Sequence, residues 1–446
     1  MTIKDSLGNT VSGASANAIQ IYEKALHEFR CYIDDPVATI DRALEDSPGF
    51  VMGYVLRAYL HLLGTEPEAI AVAREALASA RGLPANARER GHLEAIARLV
   101  DGEWHAGARA LEDVAIDNPR DPLALQAGHL CDFFIGASRM IRDRIARALP
   151  AWSEDMPGYH AVLGMHAFGL EETGIYDRAE ASGRRAVELE PRDAWAQHAV
   201  AHVMEMQGRQ REGIDWMRSN VDGWTRDNFF AVHNWWHLAL FHVEAEELDE
   251  VLRLFDEPIY GERSTLVVDM VDASSLLWRL NLRGIEVGNR WQAVADGWAP
   301  IATAGNYCFN DAHAVMAFVG AQRPELVRSV IEAQEKAQRG GGDNARFTRE
   351  VGAPMTRAII AFGEGNYAET VRLIRPIRAI AHRFGGSHAQ RDLIDLTLLE
   401  AALRDGQLAL ARSLANERVD LKPQSASART LFERARSTAP RERAVA

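Results

Sequence analysis

Three stretches of this chain stop in the same way. Ala43-Leu44-Glu-Asp-Ser47-Pro48, Val114-Ala-Ile-Asp117-Asn-Pro119 and Ala186-Val-Glu-Leu-Glu190-Pro191 each close a helix-like run with polar residues and a proline. Proline cannot continue a helix, because it lacks the N–H and its ring collides with the carbonyl one turn back. The three endings are spaced at about twice a ~34-residue helix–turn–helix unit. A unit of that size cannot bury its own apolar face, so units must stack on one another. In the third unit Gly174, Ala179 and Ala186 supply the small residues that let paired helices approach. Looser corners follow at Gly363-Glu-Gly365-Asn-Tyr367-Ala368 and Arg404-Asp-Gly406-Gln-Leu408-Ala409. Ala, Leu, Arg and Glu dominate, and convincing strand alternation is absent. The expected fold is all-α: a superhelix of stacked helix pairs over residues 1–446, curled around a concave central pocket.

Two places break the pattern. Gln338-Arg-Gly340-Gly341-Gly342-Asp343-Asn344 reads as a flexible glycine loop at 338–344, either a plain linker or a lid hinge. The Ser-, Ala- and Arg-rich end is expected to be disordered over 437–446. A formal charge of −13 argues against a nucleic-acid or anionic-membrane partner. Cys31, Cys131 and Cys308 are far apart and in no metal spacing, as expected of reduced buried thiols. The N-terminal stretch lacks the apolar core of a signal peptide, and no apolar run reaches membrane-spanning length, so the expected address is the cytoplasm.

Chemistry-bearing residues concentrate in Asp193-Ala-Trp195-Ala-Gln-His198-Ala-Val-Ala-His202-Val-Met-Glu205-Met-Gln-Gly208. As a helix this run places His198, His202 and Glu205 on one face, at i, i+4 and i+7. Two imidazoles and a carboxylate can hold a divalent ion such as zinc, iron or manganese. The arrangement is not His-Glu-x-x-His, since no glutamate follows His198 to act as a base. The bland alternative is a pair of hydrogen-bonded core histidines. A second run, His233-Asn234-Trp235-Trp236-His237-Leu-Ala-Leu-Phe-His242, repeats the i, i+4 histidine pair. If both runs line one hollow, His198, His202, His233 and His237 converge, with Trp195 and Trp236 either packing or contacting a ligand. Imidazole suits acid–base work because it gives and takes protons near neutrality.

Other constellations are less specific. Asp269 and Asp272 share a helix face ahead of Leu276-Leu277-Trp278-Arg279. They either complement a helix N-terminus or orient a histidine, Asp272 being the candidate for the catalytic set and Asp269 for ligand contact. Gly385-Gly386-Ser387-His388-Ala389-Gln390-Arg391-Asp392 is either a capped helix start or an anion cradle, with His388 and Arg391 on the anion. It lacks the Gly-Lys-[Ser/Thr] ending of a nucleotide-binding loop. His313 follows Asn310-Asp311 at a helix start and is a further ligand-contact candidate; His160, His166, Glu171 and Glu172 are minor ones.

Several of these stretches, in this order, resemble the tetratricopeptide repeat protein 38 family: Gly164-Met-His166-Ala-Phe168-Gly-Leu-Glu171-Glu172, the runs from Asp193 and His233, Asp269 to Leu280, and Gly385 to Asp392. The resemblance spans about Tyr22 to Leu421 and implies a curved array of tetratricopeptide-like helix pairs; it carries no assigned catalytic residues. Two functions are weighed, and the histidine, aspartate and glutamate content of the most distinctive helices favours the first. One is a closed pocket that binds a small anionic molecule and performs acid–base or metal-assisted hydrolysis, elimination or ring chemistry. The other is a non-catalytic scaffold holding a peptide or protein partner, and either could form a homo-oligomer.

Overall fold

The computed structural model describes residues 3–437; the tail expected at 437–446 lies outside the described residues apart from Ser437. The chain opens with a two-stranded antiparallel hairpin, β1 (Ile3–Lys4) against β2 (Thr10–Val11), and is helical thereafter. Five helix pairs follow: α1 (Ala16–Cys31) with α2 (Pro36–Asp46), and α3 (Val51–Leu62) with α4 (Ala69–Arg81). Then come α5 (Ala87–Val100) with α6 (Trp104–Asp117), α7 (Pro122–Phe134) with α8 (Ser138–Ala148), and α9 (Tyr159–Glu171) with α10 (Tyr176–Leu189). Each second helix also touches the next first helix, and α1, α3 and α5, like α7 and α9, make contact along one row. Helix pairs packed consecutively are the helical-repeat architecture that the proline spacing predicts.

The prolines act where the sequence places them. Helix α2 ends at Asp46, α6 at Asp117 and α10 at Leu189, each two residues before its proline. The residue preceding a proline is driven out of the helical region, which fixes that distance. First helices of later pairs are buried nearly all round: every residue of α9 except Tyr159 is buried. Small residues make this affordable in space. A Cβ on Gly164 would stand 3.1 Å from the Ala196 Cβ, and one on Gly169 only 2.5 Å from the Arg142 Cα.

The remaining helices are α11 (Ala194–Met206), α12 (Gln210–Ser219), α13 (Val221–Thr225), α14 (Ala231–Glu244), α15 (Leu248–Leu254), α16 (Val267–Leu282) and α17 (Arg290–Trp298). They continue through α18 (Cys308–Gly320), α19 (Pro324–Arg339), α20 (Asp343–Phe347), α21 (Ala353–Gly363) and α22 (Tyr367–Ile374). Last are α23 (His388–Arg404), α24 (Leu408–Leu421) and α25 (Ala426–Ser437). The chain separates into two compact units. The first comprises Met1–Val203, Met217–Asn234 and Gly341–Asn344; the second comprises Met204–Trp216, Trp235–Gly340 and Ala345–Ala446. In the second unit α16, α17, α18 and α19 pack in succession, as do α21 to α25. Inside it the Trp278 indole N–H donates to Thr397 Oγ1 at 3.0 Å. Within the first unit the Asp343 N–H donates to the Gly102 carbonyl at 2.9 Å. Among the described residues no helix is long and apolar enough to cross a membrane.

Candidate functional site

The first unit collects His198 and His202 of α11 and His233 near the start of α14. The Nε2 atoms of His198 and His233 are 3.1 Å apart, and one ligand nitrogen from each of the three rings lies within 4.8 Å of the others. All three are buried. The helical spacing read from sequence does the positioning: His198 and His202 stack their rings edge-on at 4.3 Å between centroids. Around them Phe168 lies parallel to His198 at 5.4 Å, Trp195 at 5.0 Å and Phe230 edge-on at 5.2 Å. Tyr32 stacks on Trp195 at 5.8 Å, so Trp195 is part of an aromatic wall. The Glu171 carboxylate stands 3.6 Å from the His202 Nδ1.

Glu205 and His237 fall in the second unit and serve each other: Glu205 Oε2 is 3.5 Å from the His237 Nδ1. Lys422 approaches the other oxygen of Glu205 at 3.6 Å. Burial pushes the Glu205 carboxyl up, but the Lys422 ammonium and the His237 imidazole outweigh it and bring the pKa down to about 2. The grouping that can hold an ion in the first unit therefore takes His233 with His198 and His202, as the repeated i, i+4 pair suggested, and not Glu205.

Trp236 is fully buried, with the Arg279 guanidinium 5.8 Å from its ring centre. Asp269 lies in the first turn of α16, where an acid complements the helix dipole, and Asp272 is buried one turn on. Asp272 favours a charged His313, yet burial dominates and His313 is pushed down to about 4. That leaves a neutral ring whose Nδ1–H donates to the Phe309 carbonyl at 2.8 Å. At the start of α23 the glycine-serine turn is a capping box: Ser387 Oγ accepts from the Gln390 N–H and Gln390 Oε1 accepts from the Ser387 N–H. His388 opens that helix, and Arg391 folds back to donate to the Gly386 carbonyl. His388 and Arg391 thus lie in the capped start of α23.

Several buried polar groups escaped sequence reading. Asp121 caps α7 through the N–H groups of Leu123 and Ala124, and its other oxygen receives Arg88 at 2.6 Å and the His92 Nε2 at 2.9 Å. Asp193 repeats the device, bonding the Ala196 N–H at 2.9 Å and the His160 Nδ1 at 2.7 Å. A capping aspartate ahead of one helix thus fastens a histidine of an earlier one, which explains His160 structurally.

The second unit also encloses a cavity of about 410 Å³. Leu240, Phe241, Leu282, Ile285, Leu396 and Leu431 form much of its wall. Charged residues of the wall are paired off. Arg418 grips Asp392 with two bonds of 2.6 and 2.9 Å, and Arg434 grips Glu400 with two of 3.1 Å. Glu244 accepts from Ser425 Oγ at 2.8 Å and from Ser427 Oγ. Burial works against the charge on Asp392, but Arg418 and Lys422 hold its carboxyl well below the usual range. The Arg418 guanidinium is conversely held above its ordinary value, Asp392 overcoming its burial. Among the described residues the wall carries no histidine, and of the residues singled out from sequence for catalysis, ligand contact or metal only Glu205 lies on it.

No family model matches the chain. Among solved structures it is similar to yeast Tom70, at 13% identity over 94% of this chain and 96% of that one, with a TM-score of 0.33. A monomeric IFIT1 mutant with Gppp-AAAA gives 14% identity, 96% of each chain and a TM-score of 0.37. The Naa15/Naa10 structure bound to HypK-THB gives 10% identity over 94% of this chain and 67% of that one, with a TM-score of 0.26. Likeness at this level carries no functional argument. The chain is an all-α protein of consecutive, tetratricopeptide-like helix pairs, and that statement rests on the pairs themselves.

Proposed function

We propose that the chain is a non-catalytic helical-repeat scaffold that binds a peptide segment of a partner in the cavity of the second unit. One observation carries the reading: the cavity combines an apolar wall with charges already locked in pairs. Proton transfer near neutrality needs a group whose pKa lies near the working pH. Glu205, Asp392 and Arg418 are all driven away from that range, and among the described residues the wall has no histidine to replace them. Such a surface binds by burying apolar side chains and aligning fixed dipoles. Ile285, Leu396 and Leu431 are half-buried, so they remain open to an apolar anchor of the partner. The acid–base reading of the histidines draws no support from this cavity.

A random-peptide display library selected on the full-length protein tests the proposal. Peptides with a large apolar residue should be enriched, and they should lose at least about tenfold in affinity for Leu396→Arg, the equivalent of about 1.4 kcal/mol. Enrichment that is equal on Leu396→Arg and on the parent protein would refute it.

A further inference from the structure

The first unit holds a feature that the cavity does not explain. Burying three imidazoles side by side is costly unless their nitrogens are satisfied. The Nε2–Nε2 contact of His198 and His233 is 3.1 Å. Without an ion, such a contact requires one ring to donate its proton and the other to accept. With an ion at ~2.0–2.1 Å from each nitrogen, tetrahedral geometry places the nitrogens roughly 3.3 Å apart. The His198–His233 separation is close to that value. His202 lies one helical turn from His198, the i, i+4 arrangement by which a single helix presents two ligands to one ion.

The surroundings fit as well. Glu171 stands 3.6 Å from the His202 Nδ1, on the side where a carboxylate orients a ligating ring and raises its basicity. Glu171, Glu172 and His202 form a further grouping, with one ligand atom each within 4.8 Å of one another. Phe168, Trp195 and Phe230 pack on the His198 ring. Imidazole nitrogens with a neighbouring carboxylate suit zinc and its first-row neighbours, whereas calcium and magnesium demand oxygen cages.

We propose that His198, His202 and His233 form a binding site for one divalent first-row transition ion, of the zinc type, with Glu171 positioning His202. The site lies in the first unit and is independent of the peptide cavity. Its role is structural: it fastens α11 to the start of α14 within that unit.

The test is a cobalt(II) titration of the chelator-stripped full-length protein, followed by visible absorption and by thermal unfolding. One equivalent of cobalt should give the intense d–d bands of a nitrogen-rich, low-coordinate site, raise the melting temperature and be displaced by one equivalent of zinc. His198→Gln and His233→Gln should each lower affinity by at least about 100-fold, and Glu171→Gln by about 10–100-fold. His105→Gln, a substitution on an exposed side chain, should leave the titration unchanged. Because the parent titration stands alone, a variant that fails to fold does not rescue or remove the result. Absence of cobalt uptake by the parent protein would overturn the proposal, and so would uptake unaffected by His198→Gln and His233→Gln. Uptake lost instead in His27→Gln would assign the ion to the separate His27, Cys31, His160 and Glu190 grouping and would equally overturn it.

Discussion

Removing Lys422 isolates one term in the energetics of the cavity. Glu205 and Lys422 are 3.6 Å apart, each less than a tenth exposed, and Lys422 is the main influence drawing the Glu205 pKa down from 4.5 to about 2. A fall of that size corresponds to about 3 kcal/mol of differential stabilisation. Loss of one partner from a buried pair costs about 3–5 kcal/mol, because the survivor keeps an uncompensated charge. Lys422→Met should therefore destabilise the second unit by about 3 kcal/mol at pH 7. The sign with pH follows from a depressed folded-state value. The contribution is fully present above pH 4.5 and is lost as pH falls through about 2. The deficit of Lys422→Met should consequently shrink between pH 5 and pH 3, and Glu205→Gln/Lys422→Met should recover most of it at neutral pH. Hydrogen-exchange mass spectrometry on peptides from residues 204–216 and 418–425 reads the local opening free energy directly. A deficit of equal size at pH 7 and pH 3, with no recovery in the double variant, would refute the reasoning.

Three other outcomes follow from the same geometry. Gly169→Ala puts a Cβ 2.5 Å from the Arg142 Cα, and should lower stability by about 1–3 kcal/mol in chemical denaturation; a neutral result would mean that α8 and α9 separate freely. Asp121→Ala strips Arg88 and His92 of their shared carboxylate and α7 of its cap, and should cost about 3–5 kcal/mol, read as a fall in melting temperature. Asp311 is raised by burial to about 7, with Gln334 offsetting little, so the folded state holds a proton that the unfolded chain releases above about 3.8. Its neutral form favours folding below that pH and the advantage fades as pH rises to about 7; Asp311→Asn should thus gain up to about 4 kcal/mol over the parent at pH 8 and nothing at pH 3.5. A gain independent of pH would contradict this.

The helix boundaries were legible because local chemistry sets them. Pro48, Pro119 and Pro191 stop their helices two residues upstream whatever the tertiary setting. The partnership of His198 with His202 was equally legible, since helical pitch alone puts them on one face. Their meeting with His233 needed the second histidine run to face the first, which the repeated i, i+4 pair suggested. Glu205 shows where such reading stops. It shares the His202 face by spacing, yet its side chain is claimed by Lys422 and His237, and Lys422 lies far down the chain. The cavity was invisible for the same reason: its wall runs from Met204 to Arg434, and none of its apolar residues forms a local motif. The doubled roles of Asp121 and Asp193, cap and histidine anchor at once, are likewise set by neighbours a repeat away.

The pH profile of peptide affinity tests the cavity reading most directly. Calorimetric titration of a selected peptide that lacks histidine and has a blocked N-terminus should give one dissociation constant from pH 5.5 to 8.5, because Glu205, Asp392 and Arg418 keep their charges across that range. An affinity that changes tenfold or more within it would place a titrating group in the cavity and contradict recognition by fixed charges and apolar contact.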